Sequence, residues 1–99
     1  MDVLEQATVQ RLFEAILTLT TAEELRHFFE DACTIKEIQE IAQRFDVATQ
    51  LFHGKSYNEV NQKTGASTAT ICRVKKCLMY GSSGYKLALE RLEQEAEHG

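Results

Sequence analysis

The 99-residue chain contains no proline, so nothing in it forces a kink or forbids a long helix. It has no run of about 18 apolar residues, which excludes a membrane-spanning helix. The three cysteines, Cys33, Cys72 and Cys77, are odd in number and form no C-x-x-C. That excludes a paired disulfide framework and fits a reducing compartment. His27, His53 and His98 are scattered, without the spacing of metal ligands, so no metal is expected. There is no phosphate-binding glycine loop and no nucleophile–base pair, and Cys72 has no histidine near it in sequence. The chain is therefore not expected to be an enzyme. The first residues, Met1-Asp2-Val3-Leu4-Glu5, are acidic where a secretion signal would be basic. A cytoplasmic protein is the expectation.

What is present is an ordinary apolar fraction of 43%, enough for one domain over residues 1–99. A monomer of this size leaves a large share of its apolar surface in water. Sharing a core with a second copy would relieve that, so dimerisation is expected. The net charge of −4 is unfavourable for a nucleic-acid binder as a total. Its distribution is not uniform. Residues 1–34 carry seven acids and two bases, and residues 87–99 four acids and one base, whereas residues 53–86 carry six bases and one acid. The positive charge is concentrated in one stretch, the electrostatic footprint expected of phosphate binding.

Periodicity predicts helices throughout. Residues 2–19 place Leu4, Ala7, Leu12, Ile16 and Leu19 at helical spacing, with Val9, Phe13 and Leu17 widening the stripe. A stripe this wide suits a subunit interface. Thr21 with Glu24 forms a capping box and opens a second helix to about Asp31, burying Leu25, Phe28 and Phe29. Thr34 with Glu37 opens a third, Ile35 to Phe52, ended by Gly54. Ser56 with Glu59 opens a short fourth, stopped by Gly65. Ser67 caps a fifth, which runs to about Tyr80. After the Gly81–Gly84 loop, a last helix from Tyr85 to about Ala96 buries Tyr85, Ala88, Leu89 and Leu92, with a frayed acidic end.

Ser56–Leu78 is the informative segment. Two short helices meet across a turn containing one glycine, a helix-turn-helix over about residues 56–80. Gly65 falls where the chain needs a positive φ. Val60, Ile71, Val74 and Leu78 meet inside the angle. The opposite face of the second helix carries Thr68, Cys72, Lys75 and Lys76, none of which a core requires. In this motif the second helix enters the major groove with its N-terminal residues on base edges. Threonine hydroxyls and methyls suit base edges. Ser67, at the helix N-terminus, lies where free N–H groups favour a phosphate. Lys63, Lys75 and Lys76 are expected on phosphates, where they give affinity and register.

Thr34, Glu37, Arg44, Val47, Leu51, Gly54, the run Thr64-Gly65-Ala66-Ser67-Thr68-Ala69-Thr70-Ile71, and Arg73 resemble the Trp-repressor superfamily. Within it the chain is most similar to the YerC/YecD group of bacterial Trp-repressor-like proteins. The resemblance implies an all-α, six-helix fold and an intertwined homodimer held by helices within residues 2–52 and 85–96. It implies a sequence-specific transcriptional regulator of the repressor type, acting on double-stranded DNA. Base-reading positions of the family fall on Thr68, Ala69 and Cys72, and backbone-contact positions on Tyr57, Asn61 and Thr70. The alternative is an interaction module that kept the fold and lost DNA binding.

The resemblance also implies a corepressor pocket in which two arginines, here Arg44 and Arg73, enclose an indole, with Thr34 opening the third helix. The other reading of these arginines is ion pairing with Glu40 or Glu37. Two positions depart from the tryptophan-binding pattern. A glycine after the second arginine is Val74 here, and a serine that meets the amino group is Cys77. A branched side chain in place of bare backbone narrows that space, so no cofactor is expected. Calorimetric titration with free tryptophan should accordingly register no micromolar site. Heat of binding in that range would mean that the pocket accommodates Val74.

Overall fold

The helix starts are fixed by side chains three or four residues away. In the computed structural model, which describes residues 2–98, the Thr21 hydroxyl accepts the Glu24 N–H at 3.1 Å. The Glu24 carboxylate in turn accepts the Thr20 N–H at 2.8 Å. Thr34 and Glu37 exchange both bonds, at 2.9 and 3.1 Å. Ser56 accepts from Glu59 at 3.3 Å, and Ser67 from Thr70 at 3.2 Å. Each satisfies N–H groups that a helix start otherwise leaves unpaired. Backbone N–H donation from Thr20 and Thr34 holds the Glu24 and Glu37 carboxyls below their ordinary pKa.

These signals give six α-helices and no strand among the described residues: α1 (Ala7–Leu17), α2 (Ala22–Ala32), α3 (Ile35–Phe52), α4 (Tyr57–Thr64), α5 (Thr68–Tyr80) and α6 (Gly84–His98). The expected architecture is all-α with six helices, and this is what forms. No described helix is long and apolar enough to cross a membrane. Two boundaries differ from the sequence reading. The first predicted helix is divided. Asp2 caps a 3-10 turn over Val3–Glu5, and Gln6 is extended (φ −61°, ψ 144°) before α1 begins. The local bond from Asp2 to the Leu4 N–H competes with a continuous helix. The last helix runs on to His98 rather than fraying after Ala96, since no glycine or proline interrupts it and glutamate is a good helix former.

The backbone divides into two units, residues 1–38 and 39–99. The described residues of the first unit include no buried side chain. Leu25, Phe28 and Phe29, expected to be buried, are half-covered. The Phe28 and Phe29 rings meet edge to face at 5.6 Å. Leu17 is 81% exposed, and Leu12 and Phe13 are 43% and 42% exposed.

The second unit holds the core. Val47 and Ala48 from α3, Val60 from α4, Ala66 from the turn, Ile71 and Val74 from α5, and Leu89 from α6 are buried together. Phe45, Leu51, Phe52, Tyr57 and Tyr85 pack around them. Ala88 and Leu92, expected inside with Leu89, are exposed, because periodicity marks an apolar face without saying what covers it. Each buried valine, isoleucine or leucine side chain contributes about 1.5–3 kcal/mol. The exposed contact of His53, just after α3, with Glu93 on α6 at 2.7 Å contributes at most about 1 kcal/mol. Apolar packing therefore sets the angles between these helices. Ile71 is the largest fully buried side chain. Ile71→Ala is expected to lower unfolding stability by about 2–5 kcal/mol, measured by urea denaturation, and Ile71→Asp to abolish the fold of this unit.

Candidate nucleic-acid interface

The angle between α4 and α5 is built by the turn Thr64–Ser67. Gly65 is left-handed, with φ +70°, the conformation glycine reaches without Cβ strain. Its N–H bonds the Asn61 carbonyl at 2.9 Å. The Thr64 hydroxyl donates to the Val60 carbonyl at 2.7 Å and accepts the Ala66 N–H at 3.2 Å. Two side-chain amides complete the turn: Asn61 donates to the Ala66 carbonyl at 2.8 Å, and Gln43 on α3 to the Thr64 carbonyl at 3.2 Å. With Val60, Ile71 and Val74 buried inside the angle, the outward face of α5 is fixed. Leu78, also expected inside, is half-buried.

Thr68, Ala69, Cys72, Lys75 and Lys76 are exposed. Thr68, Cys72 and Lys76 follow one another at four-residue spacing, one turn apart on one face of α5. Ser67 is exposed and occupied as the cap of α5. Lys63 is exposed in the last turn of α4. Among the described residues, Lys63, Lys75, Lys76 and Arg73 form no ion pair, whereas Lys55 lies 4.0 Å from Glu59. The cations of this face are thus uncompensated by carboxylates.

Six predicted contact residues, Tyr57, Asn61, Ser67, Thr70, Cys72 and Lys75, also have partners within the protein. The Asn61 amide holds the turn. Thr70 is half-buried, and its hydroxyl lies 3.1 Å from Ser67 Oγ. The Tyr57 hydroxyl lies 3.0 Å from Cys72 Sγ, and its ring lies under Lys75, whose Nζ is 5.4 Å from the centroid. Gln43, which sequence reasoning did not single out, joins α3 to the turn. No local signal marks it, because its partner is 21 residues away.

The residues assigned to an effector pocket are Thr34, Arg44 and Arg73. Arg44 is half-buried and Arg73 exposed, and among the described residues neither pairs with a carboxylate, Glu40 and Glu37 included. Glu37 is occupied with capping α3. Thr34 belongs to the first unit. Val74 is 1% exposed and part of the core. Cys77 lines an open pocket of about 310 Å³ with Gly81, Ser82, Gly84 and Tyr85.

An all-helical chain with a rigid helix-turn-helix and an uncompensated basic outer face belongs to the class of helix-turn-helix regulators. Comparison with known proteins places it within that class. The model of the Trp repressor protein family matches residues 7–93. The chain is 48% identical over 94 residues to the uncharacterized protein YerC of Bacillus subtilis (strain 168), covering 95% of this chain and 90% of that one. A crystal structure of a TrpR-like protein from Eubacterium eligens superposes with a TM-score of 0.88 at 49% identity, covering 91% of this chain and 93% of the other. That of a Trp repressor candidate from Staphylococcus aureus gives 0.87 at 46% identity, covering 91% and 90%. The protein belongs to the Trp repressor family.

The turn geometry yields a direct test. Asn61→Ala removes the bond to the Ala66 carbonyl without touching the buried core. It should cost about 1 kcal/mol of unfolding free energy and leave the helical circular dichroism intact. An unchanged denaturation midpoint would show that the amide contributes nothing to the turn.

Proposed function

We propose that the protein is a sequence-specific DNA-binding transcriptional regulator of the repressor type, acting as a homodimer. The observation that carries this reading is the outward face of α5, where Thr68, Cys72, Lys75 and Lys76 are exposed on a helix whose other face is locked into the core. The N-terminal turn of α5 enters the major groove, with Thr68, Ala69 and Cys72 toward base edges. Ser67 and the free N–H groups of the helix start, with Tyr57, Asn61 and Thr70, lie toward the backbone, and Lys63, Lys75 and Lys76 toward phosphates. Asn61 and Thr70 serve as the rigid edge of the turn as well as contact positions.

The homodimer is supported by the first unit. Its described residues bury nothing, yet Val3, Leu4, Leu12, Phe13, Leu17 and Ile35 are exposed there. Isolated helices of 11 residues are marginal in water. A second copy, bringing the same apolar surface, covers both, and two recognition helices then meet two half-sites. No tryptophan cofactor is invoked, given Val74 in the core and Cys77 at the serine position.

Substitutions separate base reading from backbone holding. Thr68→Asp is compatible with a helix N-terminus but sets a negative charge against the groove, so it should stay folded and lose binding. Lys76→Ala should weaken specific and random duplexes alike and lower the salt slope by about one. The measurements are duplex binding across a salt series, with circular dichroism for folding and light scattering for the dimer. A folded Thr68→Asp protein that binds the selected duplex as the parent does would refute groove insertion. A parent that selects no duplex would favour the interaction module.

A further inference from the structure

The link between Tyr57 and Cys72 carries an inference that rests on the DNA-binding reading and assigns a residue within it. Tyr57 is the first residue of α4, and Cys72 lies 15 residues later in the first half of α5. Their hydroxyl and thiol meet at 3.0 Å on the exposed side of the motif. With Lys75, Lys76, Met79 and Tyr80 they line one open cleft of about 230 Å³. The Tyr57 ring is half-buried against the core, so the hydroxyl is held in place from behind. Its ring carries the Lys75 ammonium at 5.4 Å, a cation–π contact that gives a flexible side chain a defined position. Lys75 has no carboxylate partner among the described residues that would draw it elsewhere.

A tyrosine hydroxyl has one donor and two acceptor sites. One bond to the thiol leaves the others unused on the face offered to DNA. A thiol is a weak donor and acceptor, and here its place is shared by a stronger group. The bond to Cys72, followed by partial burial, raises the Tyr57 pKa above its ordinary value, so at neutral pH the hydroxyl remains an uncharged group beside the lysines and puts no anion against phosphates.

We propose that Tyr57 is a specificity-determining residue. In place of a Cys72 thiol at the base edge and a Tyr57 contact to the backbone, the Tyr57 hydroxyl fixed by Cys72 meets the base edge at this turn of α5, and the Tyr57 ring positions Lys75 for the adjoining phosphate. This differs from a plain backbone contact, which would hold any sequence equally.

Tyr57→Phe tests this, because it keeps the ring and the Lys75 contact and removes only the hydroxyl. Random duplexes are selected with the full-length parent, and the parent and variants are then titrated with the selected duplex and its single-base variants. Tyr57→Phe should reduce discrimination at one or two adjacent base pairs by about threefold to tenfold, the value of one hydrogen bond, and leave the salt slope close to the parent's. Cys72→Ser, which still partners the hydroxyl, should follow the parent more closely than Cys72→Ala. Circular dichroism reports folding in each case. Equal discrimination by Tyr57→Phe and the parent, or a loss of affinity uniform over all sequences, overturns the assignment and leaves the DNA-binding reading standing. A parent that enriches no duplex overturns both.

Discussion

Val60, Ile71 and Val74 leave water together, and the position of every outward side chain of the motif follows from that. With the apolar sides of α4 and α5 closed on one another, and Val47, Ala48 and Leu89 behind them, α5 cannot roll about its axis without exposing Ile71 or burying Lys75. Both alternatives are costly: the first forfeits about 1.5–3 kcal/mol of burial, the second buries an unpaired charge. The side chains of the outward face are held by aliphatic packing behind it and by the Asn61 and Gln43 amides at the turn, the fixed geometry that the proposed base reading requires.

The two halves of the chain are stabilised by different means. Residues 2–38 have well-formed caps and ordered helices but no buried side chain, and capping defines where a helix starts without giving it anything to pack against. Residues 39–98 have both caps and a core. The charge follows the same division. The acidic surplus sits at the two ends of the sequence, and the basic surplus between residues 53 and 86. The basic surplus thus falls on the segment that forms the helix-turn-helix. The exposed apolar surface of the first half and the basic surface of the second correspond to the two partners proposed, a second copy and a duplex.

Tyr57 shows how one residue can serve both levels. Its ring contributes to the packing around the core, while its hydroxyl and its face engage Cys72 and Lys75 on the exposed side. Such a residue couples the fold to the interface directly. Any change of the angle between α4 and α5 is transmitted to the groups that would face DNA.

The sequence by itself determined the helix limits at Ala22, Ile35, Tyr57 and Thr68, the break at Gly65, the burial of Val60, Ile71 and Val74 inside the motif and the location of the basic segment. These are short-range properties: a cap acts within three or four residues, and a helical stripe repeats within a turn. It misjudged residues 2–6, where Asp2 diverts the backbone into a separate turn, and it assigned Ala88 and Leu92 to an interior that does not cover them. Only the tertiary structure decided that Asn61 holds the Ala66 carbonyl, that Gln43 reaches the turn from α3, and that Tyr57 meets Cys72. The Asn61 bond depends on the conformation of the turn, and the Gln43 and Tyr57 pairs depend on interhelical angles, which are set by how several aliphatic side chains pack at once, so no local spacing encodes them.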